Sequence, residues 1–268
     1  LPTISRSFQD YYSVSPYFNG SSTSGTSVAG RNNKYNNIQI DGADFNDMFG
    51  LGATGTPAGQ STTNPVTPIS LDAIEEFQVV VSPFDVRQAG FTGAGINAIT
   101  RSGTNTLKGS VFYNRRNQDL MGVSPDALAA KLPNFTETSV GFRLGGPIIE
   151  NKLFLFLNGE LARKEAPFTR TYGNDKVGTN ASTAIADSLR ILTDFLKTKY
   201  GYETGSWTDI PQLDNSDKFF VRFDYNLSED HKLTARWNYL SSIDDNSPSR
   251  FRGNADFYSE NARYKLNN

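Results

Sequence analysis

The segment between residues 213 and 242 constrains the fold most, because apolar and polar side chains alternate along two stretches that a short polar turn joins. The apolar positions of the first stretch are Phe219, Val221, Phe223, Tyr225 and Leu227. Those of the second stretch are Leu233, Ala235, Trp237 and Tyr239. The intervening positions are mostly polar and include Arg222 and Arg236. A period of two predicts extended strands with two unlike faces.

The two faces of these strands require different surroundings. A charged face does not suit a protein core, and a face with so many aromatic rings does not suit water. Each stretch has about the length of a strand that crosses a bilayer at a tilt. The pattern therefore predicts a wall with lipid outside and a wet lumen inside. Tyr225 and Tyr239 lie toward opposite ends of the apolar face, which is typical of the two aromatic girdles of such walls.

Composition excludes several classes of function. The net charge of −2 and the pI near 5.5 argue against nucleic-acid binding, which usually depends on a basic patch or stripe. The chain has no cysteine and a single histidine, so a disulfide framework, a thiol nucleophile and a His–His zinc motif within these residues are excluded. We predict no catalytic residue, cofactor or metal, and hence no enzyme.

Two patterns that look like ligand sites have simpler explanations. Residues 93–98 match G-x-G-x-x-A, but the residues after them favour a strand where a dinucleotide site needs a helix. We expect these glycines to let the backbone turn tightly. Asp41, Asp44 and Asp47 recur every third residue without the spacing or closing glutamate of an EF-hand. A hydrogen-bonded loop is favoured there over a metal site.

Short elements separated by turn signals fill the first 105 residues. A strand is predicted over residues 37–40, and it ends in the turn Asp41-Gly42. Ser70 is predicted to cap a short helix over residues 71–75. The strand that follows, residues 77–81, is apolar enough to be buried on both faces.

After residue 105 the chain alternates in hairpins, which favours an antiparallel meander. Phe154 and Phe156 interrupt one polar face, so the lumen or its occupant must accept two aromatic rings. Connections are alternately short and long, as at the two rims of an outer-membrane barrel. The short connections are residues 146–152 and 228–231, and the long ones are 117–135, 163–217 and 243–257. The longest contains a predicted helix over residues 181–199, with Gly201 just past its end.

The number of predicted strands does not close a barrel. Residues 106–268 suffice for five to six strands, whereas the smallest single-chain barrels have about eight. A membrane-spanning sheet cannot leave its edges unpaired. The chain is therefore expected to be the N-terminal part of a longer protein, or else its edges pair with another chain.

Three motifs, in this order, resemble the plug domains of TonB-dependent outer-membrane receptors. Residues 38–42 (IQIDG) resemble their VLIDG strand and turn. Residues 71–79 (LDAIEEFQV) resemble their IERIEVL helix-to-strand step. Residues 93–103 (GAGINAITRSG) resemble the GGVINIITKSG segment that closes the plug. The sequence that follows (LKGSVFYNRRN, then the GGPI turn) is most similar to that of the large Oar-like receptors of Bacteroidota and related bacteria.

The resemblance implies a mixed fold: a small α/β plug domain, residues 1–105, followed by the first five to six antiparallel strands, residues 106–268, of a transmembrane β-barrel of about 22 strands. It implies a Gram-negative outer-membrane receptor that captures a ligand at the cell surface and passes it through the plugged barrel. TonB and its inner-membrane motor proteins would supply the energy. The plug-motif residues would be Asp41, Gly42, Glu75, Gly93, Gly95, Asn97 and Arg101.

The remaining candidate residues lie on the wall and in the loops. Arg143, Arg222 and Arg236 occupy the polar face, where they either contact the plug or are simply solvated in the lumen. The long loops are the candidates for ligand or partner contact. Their candidate aromatic residues are Tyr172, Tyr200, Tyr202 and Trp207. Expected partners are outer-membrane lipid, TonB, an unidentified surface ligand and outer-membrane lipoproteins or other complex partners. A TonB box, which lies before the plug in this family, and the N-terminal carboxypeptidase-regulatory-like domain typical of Oar-like receptors are not visible in these residues.

Two other functions fit the sequence. An Oar-like outer-membrane protein could act as the partner or chassis of a surface complex with little transport, and a full-length chain without a TonB box would favour this function. A soluble β-rich adhesin or sugar-binding module would instead bury the apolar faces in a sandwich core. Such a module would purify without detergent.

Overall fold

The computed structural model describes residues 16–21, 25–28, 35–45, 67, 69–81, 94–121, 135–167, 183–204, 211–246 and 262–267. Within these residues, twelve strands form three sheets, and one α-helix stands between two long strands. The strands are β1 (Phe18–Ser21), β2 (Gly25–Val28), β3 (Asn37–Ile40), β4 (Ala43–Asp44), β5 (Ile74–Val81), β6 (Ala94–Thr100), β7 (Lys108–Asn117), β8 (Thr136–Ile149), β9 (Leu153–Pro167), β10 (Pro211–Asn226), β11 (Lys232–Asn246) and β12 (Ala262–Asn267). The helix is α1 (Thr183–Tyr200).

Strands β3 to β6 form what we call the small sheet, in the order β4-β3-β6-β5. Strand β3 runs parallel to β6, and the other two pairings are antiparallel. The predicted strand over residues 37–40 is confirmed. So is the turn after it, because Asp41 and Gly42 both have positive φ, at 48° and 81°. A two-residue hairpin turn needs this conformation, which Asp and Gly tolerate better than other residues.

The connection into β5 differs from the sequence prediction. Ser70 does cap a helical turn, since its Oγ accepts a hydrogen bond from the Asp72 N–H at 3.3 Å. That turn, however, is a 3₁₀ segment of only three residues, Leu71–Ala73, and Glu75 is an exposed residue of β5. The prediction that residues 77–81 are buried on both faces is wrong, because Val80 is 38% exposed. The reason is that, among the described residues, the small sheet packs against protein on one of its two faces.

Strands β7 to β12 form the large sheet, an antiparallel meander in chain order. Its middle strands contain 14 to 16 residues and are longer than the sequence predicts, because polar residues at their far ends keep pairing. Ser216, for example, still pairs with Ser242. The predicted turn over residues 146–152 shrinks to 150–152, since β8 continues to Ile149. The loop over 163–217 shrinks in the same way, to residues 168–210.

The two faces of the large sheet differ as the alternation predicts. One face, the outer face, presents apolar side chains to the surroundings, with Val111 78% and Trp237 56% exposed. The opposite, inner face packs against the small sheet and includes Phe156 at 3% and Phe220 at 2% exposure. A soluble sandwich would bury the outer face, so this placement argues against the soluble module.

Helix α1 lies in the longest connection, as predicted, with bounds shifted by one or two residues. It ends at Gly201, whose φ is 63° and whose N–H donates to the Lys197 carbonyl at 3.0 Å. Beyond the end, the Glu203 carboxylate lies 2.9 Å from Lys197 Nζ, and its hydrogen bond and charge raise the pKa of Lys197. Within the described residues, no helix is long and apolar enough to cross a membrane.

Candidate functional site at the interface between the two sheets

The inner face of the large sheet and the small sheet meet in what we call the sheet interface, which has an apolar centre. Phe156 of β9 and Phe220 of β10 lie with their ring centroids 6.3 Å apart. They pack with small-sheet residues Ile38, Ile40, Ile69, Ala73, Ile74, Ile96 and Ala98. The two rings therefore extend the core of the small sheet into the large sheet, which we call the wall from here on. This arrangement explains why Phe156 interrupts an otherwise polar face.

A polar group that we call the Asp41 cluster lies beside this centre. The Asp41 carboxylate accepts hydrogen bonds from the Thr100 N–H and hydroxyl, both at 2.7 Å. From the wall, the Arg236 guanidinium reaches the same carboxylate at 2.6 Å. Arg222 donates to the Thr100 carbonyl and hydroxyl oxygens, both at 2.9 Å, and lies 3.9 Å from the carboxylate. Asp224 is the fifth member of the cluster. These contacts join the turn after β3 to two neighbouring wall strands.

The register of the wall makes the Asp41 charge important. Arg222 and Arg236 are directly opposite each other on β10 and β11. Like charges in that position destabilise a sheet. Asp224 compensates Arg222, with Nε–O at 2.8 Å. The carboxylate that compensates Arg236 is Asp41, which comes from the small sheet.

Asp41 is ionised at neutral pH. Burial raises the pKa of its carboxyl, but hydrogen bonds from Thr100 and Arg236, together with the charge of Arg236, outweigh burial and hold the pKa below 3.8. A negatively charged side chain of the small sheet is thus bound by two cationic side chains of the wall.

A second polar group, the Glu160 cluster, consists of Thr67, Ser70, Glu160 and Lys218. Glu160 and Lys218 are directly opposite each other on β9 and β10, and their charged atoms lie 3.1 Å apart. Ser70 donates to the other Glu160 oxygen at 2.6 Å, and Lys218 donates to the Thr67 hydroxyl at 2.8 Å. Both charged side chains are more than 90% buried. Here the two charges that pair both belong to the wall, and Thr67 and Ser70 contribute hydroxyl groups.

Sequence reasoning did not identify the Glu160 cluster. It predicted a polar face interrupted by Phe154 and Phe156 and a cap at Ser70, but it did not bring Glu160 and Ser70 together across 90 residues. The available signal was the presence of Phe154 and Phe156 on the same polar face, because aromatic rings that point into a lumen require an occupant that packs against them. That occupant also needs polar groups opposite the charges of the wall.

The layers of the sheet interface follow the inner face of β10. Starting from the short turn that joins β10 to β11, the inner positions are Asp224, Arg222, Phe220 and Lys218. Charge, aromatic ring and charge therefore succeed one another across the interface. Burial of the apolar centre stabilises the contact between the two sheets, and the hydrogen bonds on either side of it fix the position of one sheet relative to the other.

The predicted plug-motif residues lie in different surroundings. Gly42 donates its N–H to the Asn97 side-chain oxygen at 3.1 Å, so that Asp41, Gly42 and Asn97 come together. Gly95 lies opposite Asn37 in the parallel pair. The Arg101 N–H donates to the Ala73 carbonyl at 2.8 Å. Glu75 is exposed on β5, and Gly93 lies outside the described residues.

The other predicted site residues are divided between wall and loop. Arg222 and Arg236 contact the small sheet, whereas Arg143 donates to the Ser110 hydroxyl of the neighbouring wall strand at 2.8 Å. Tyr200 and Tyr202, at the end of α1, are 64% and 60% exposed. Tyr172 and Trp207 lie outside the described residues. Among the described residues, no group of three or more His, Cys, Asp or Glu side chains could hold a metal ion.

Comparison with known proteins agrees with this geometry. Residues 99–182 match the family described as outer membrane beta barrel domain. The chain is 26% identical over 223 residues to the TonB-dependent transporter Oar of Myxococcus xanthus, a match that covers 80% of this chain and 19% of that protein. The chain thus spans about a fifth of the length of that relative.

Two solved structures are similar in fold. The siderophore receptor PirA from Acinetobacter baumannii superposes with a TM-score of 0.53 at 18% identity, over 92% of this chain and 30% of that one. The outer membrane transporter YddB from Escherichia coli superposes with a TM-score of 0.62 at 14% identity, over 94% and 32%. These relatives are transporters and receptors, not enzymes. The chain is located in the Gram-negative outer membrane, and it is homologous to the TonB-dependent transporter Oar.

Proposed function

We propose that the chain contains the plug, residues 1–105, and the first barrel strands, residues 106–268, of an Oar-like TonB-dependent receptor. In this proposal the small sheet closes the lumen of a barrel to which the large sheet contributes six strands. TonB, driven by its inner-membrane motor proteins, displaces the plug so that a ligand captured at the cell surface can pass. The observation that carries the proposal is the sheet interface, in which a separate sheet covers the inner face of a wall whose outer face is apolar and exposed.

The composition of the sheet interface supports a plug that is held and yet can be displaced. Two wall rings, Phe156 and Phe220, form the apolar contact, and fully burying a side chain of that kind contributes about 2 to 3 kcal/mol. The Asp41 cluster adds ion pairs whose wall partners are 18% and 33% exposed, so water can compete for them. Such contacts are strong enough to keep the lumen closed at rest and are weak compared with the stability of the wall.

The long connections of the large sheet are proposed to capture the ligand. They share one rim, opposite the short turns at residues 150–152 and 227–231. Near that rim, α1 presents Phe195 at 48% exposure and ends in Tyr200 and Tyr202. Exposed aromatic and cationic groups at the end of α1, including Lys199 over the Tyr200 ring at 5.6 Å, offer contacts to a polar ligand with flat apolar parts. The further aromatic candidates are Tyr172 and Trp207 of the same loop.

Displacement of the small sheet can be tested without knowing the ligand. Ala98 is 1% exposed and packs in the sheet interface, so cysteine at this position should react with a water-soluble maleimide only when the small sheet moves away. The variant Ala98→Cys would be made in the full-length protein, with all other cysteines replaced, and expressed in its own host in growth medium. Labelling would be compared between cells with TonB, cells lacking TonB and cells treated with a protonophore.

We expect labelling of Ala98→Cys in cells with TonB and much slower labelling in the other two cases. The matched control is Ser102→Cys, an exposed position on the segment after β6, which should react equally in all three. Equal labelling of Ala98→Cys with and without TonB would contradict energised displacement and would favour a structural role in a surface complex.

A further inference from the structure

The geometry points to a binding site for an anionic group of the transported ligand, formed by Arg222 and Arg236 on the inner wall. We propose that the Asp41 carboxylate occupies this site while the small sheet is in place, and that a carboxylate of the ligand takes its position when the sheet is displaced. This inference rests on the proposed function, because only displacement of the small sheet vacates the site in the native protein.

The first observation is that the site already binds a carboxylate. The Arg236 guanidinium lies 2.6 Å from one Asp41 oxygen, and the Arg222 guanidinium lies 3.9 Å from the other. Guanidinium groups bind carboxylates through short, charge-assisted hydrogen bonds and remain charged at any physiological pH. A carboxylate that is not attached to the small sheet offers the same oxygen atoms to the Arg236 guanidinium, with the charge of Arg222 nearby.

The second observation is that, among the described residues, both partners of each of the other inner-face ion pairs lie on the wall. The pairs are Lys218 with Glu160, Arg116 with Glu137, Lys164 with Asp214, and Arg222 with Asp224. Arg236 differs from these cations, since its carboxylate partner among the described residues belongs to the small sheet. Displacement therefore leaves an uncompensated guanidinium directly opposite Arg222, and the resulting repulsion favours any anion that enters.

The third observation is the position of the pair along the wall. Arg222 lies four residues before the end of β10 at Asn226, which corresponds to about 13 Å from the short-turn rim. The Glu160 cluster lies farther from that rim, and its Lys218 is paired with Glu160 of the neighbouring wall strand. An anionic ligand that enters from the long-loop rim would thus first meet a cation that has lost its carboxylate partner in the half of the lumen nearer the short turns.

Chemical rescue of a variant tests the site in the full-length protein. In Asp41→Ala, the carboxylate is removed while the two arginines remain, and acetate should replace it. The readout is the rate at which phenylglyoxal modifies Arg236, measured by mass spectrometry in detergent solution. We expect acetate to slow this modification about fivefold, which is the size of one ion pair at a partly exposed position. Acetamide, the neutral isostere, and chloride at equal ionic strength should have little effect.

Three further measurements make the outcome decisive. Asp44→Ala removes a carboxylate from the same hairpin that bonds to Asn37 and Gln39, so its Arg236 should stay protected without acetate. Modification of Arg222 in Asp41→Ala/Arg236→Gln should no longer respond to acetate. Unchanged hydrogen exchange in β8 and β9 would show that the variants keep the wall folded.

Protection by acetamide or chloride equal to that by acetate would overturn the anion site. So would an acetate effect that persists after Arg236→Gln. The rescue needs no TonB, whereas the Ala98→Cys labelling does. Failure of the anion site and failure of energised displacement are therefore distinguished by which of the two experiments is negative.

Discussion

The substitution Asp41→Asn is the sharpest test of the sheet interface, because it keeps the shape of the side chain and removes its charge. Asparagine still accepts one hydrogen bond from Thr100, but its amide group faces cationic or donor groups where the second carboxylate oxygen was. Arg236 then loses its carboxylate partner while it still faces Arg222. We expect the small sheet to separate from the wall more readily, and the wall itself to stay folded.

The expected magnitude follows from burial. The Asp41 side chain is 14% exposed and that of Arg236 is 33% exposed. Removing one partner of a fully buried ion pair costs about 3 to 5 kcal/mol, and an exposed pair contributes about 0.2 to 1 kcal/mol. For this intermediate exposure, about 2 kcal/mol is reasonable, which corresponds to a roughly thirtyfold larger population of the separated state.

Hydrogen exchange of the full-length protein in detergent measures that population directly. Amides of β3 and β6 should exchange roughly thirtyfold faster in Asp41→Asn, while those of β8 and β9 should not change. The matched control is Asp44→Asn, in the same hairpin, because the Asp44 carboxylate accepts hydrogen bonds from Asn37 and Gln39 of the small sheet. It should change exchange by less than about threefold, as surface substitutions usually do.

A double-mutant cycle assigns the effect to the ion pair. If Asp41 acts through Arg236, Asp41→Asn should cost about 1 to 2 kcal/mol less in an Arg236→Gln background than in the wild type. Equal exchange in Asp41→Asn and Asp44→Asn, or additive effects in the cycle, would show that the Asp41–Arg236 ion pair does not hold the small sheet against the wall.

Three further predictions concern other parts of the structure. Phe220→Ala should raise the hydrogen-exchange rates of β6 amides by the equivalent of about 3 kcal/mol. Phe219→Ala, on the outer face, should leave the exchange rates of β6 unchanged. Gly103→Ala should lower the thermal midpoint of the full-length protein far more than Gly109→Ala, because a Cβ at Gly103 would lie 2.6 Å from a backbone oxygen of β9, against 3.2 Å at Gly109. The pKa of Asp41 is lowered in the folded protein, so its ionised carboxylate stabilises the sheet interface fully above about pH 3.8. This contribution is lost as the pH falls from there through the lower folded pKa. Hydrogen-exchange protection of β6, corrected for intrinsic exchange rates, should therefore fall below pH 3.8 more in the wild type than in Asp41→Asn.

The sequence was sufficient to predict local features of the fold. The turn at Asp41-Gly42, the strand before it and the end of α1 depend on a few neighbouring residues, and they were predicted correctly. The faces of β10 and β11 follow from alternation alone. Strand lengths were underestimated because Ser216 and Ser242 keep pairing beyond the apolar stretch, and a polarity pattern does not show where pairing stops.

The sheet interface required the fold. Asp41 and Arg236 are 195 residues apart, and nothing local to either residue indicates the other. The arginines were recognised as candidates because a charged face in a membrane wall needs partners, but the same reasoning included Arg143, which bonds to Ser110 instead. The one-sided burial of β5 was also unpredictable from the strand itself, because its apolar run is compatible with burial on either face or both.

We infer that successive residues along a wall strand alternate between facing lipid and facing the small sheet. Site-directed spin labelling of the full-length protein in lipid bilayers tests it most directly, with single cysteines placed in turn from Lys218 to Tyr225. We expect labels at odd-numbered positions to collide frequently with oxygen, which concentrates in the bilayer. Labels at even-numbered positions should be shielded from both oxygen and a water-soluble nickel complex. High accessibility to the nickel complex at Phe219 and Phe223, or the absence of a period of two, would contradict this inference.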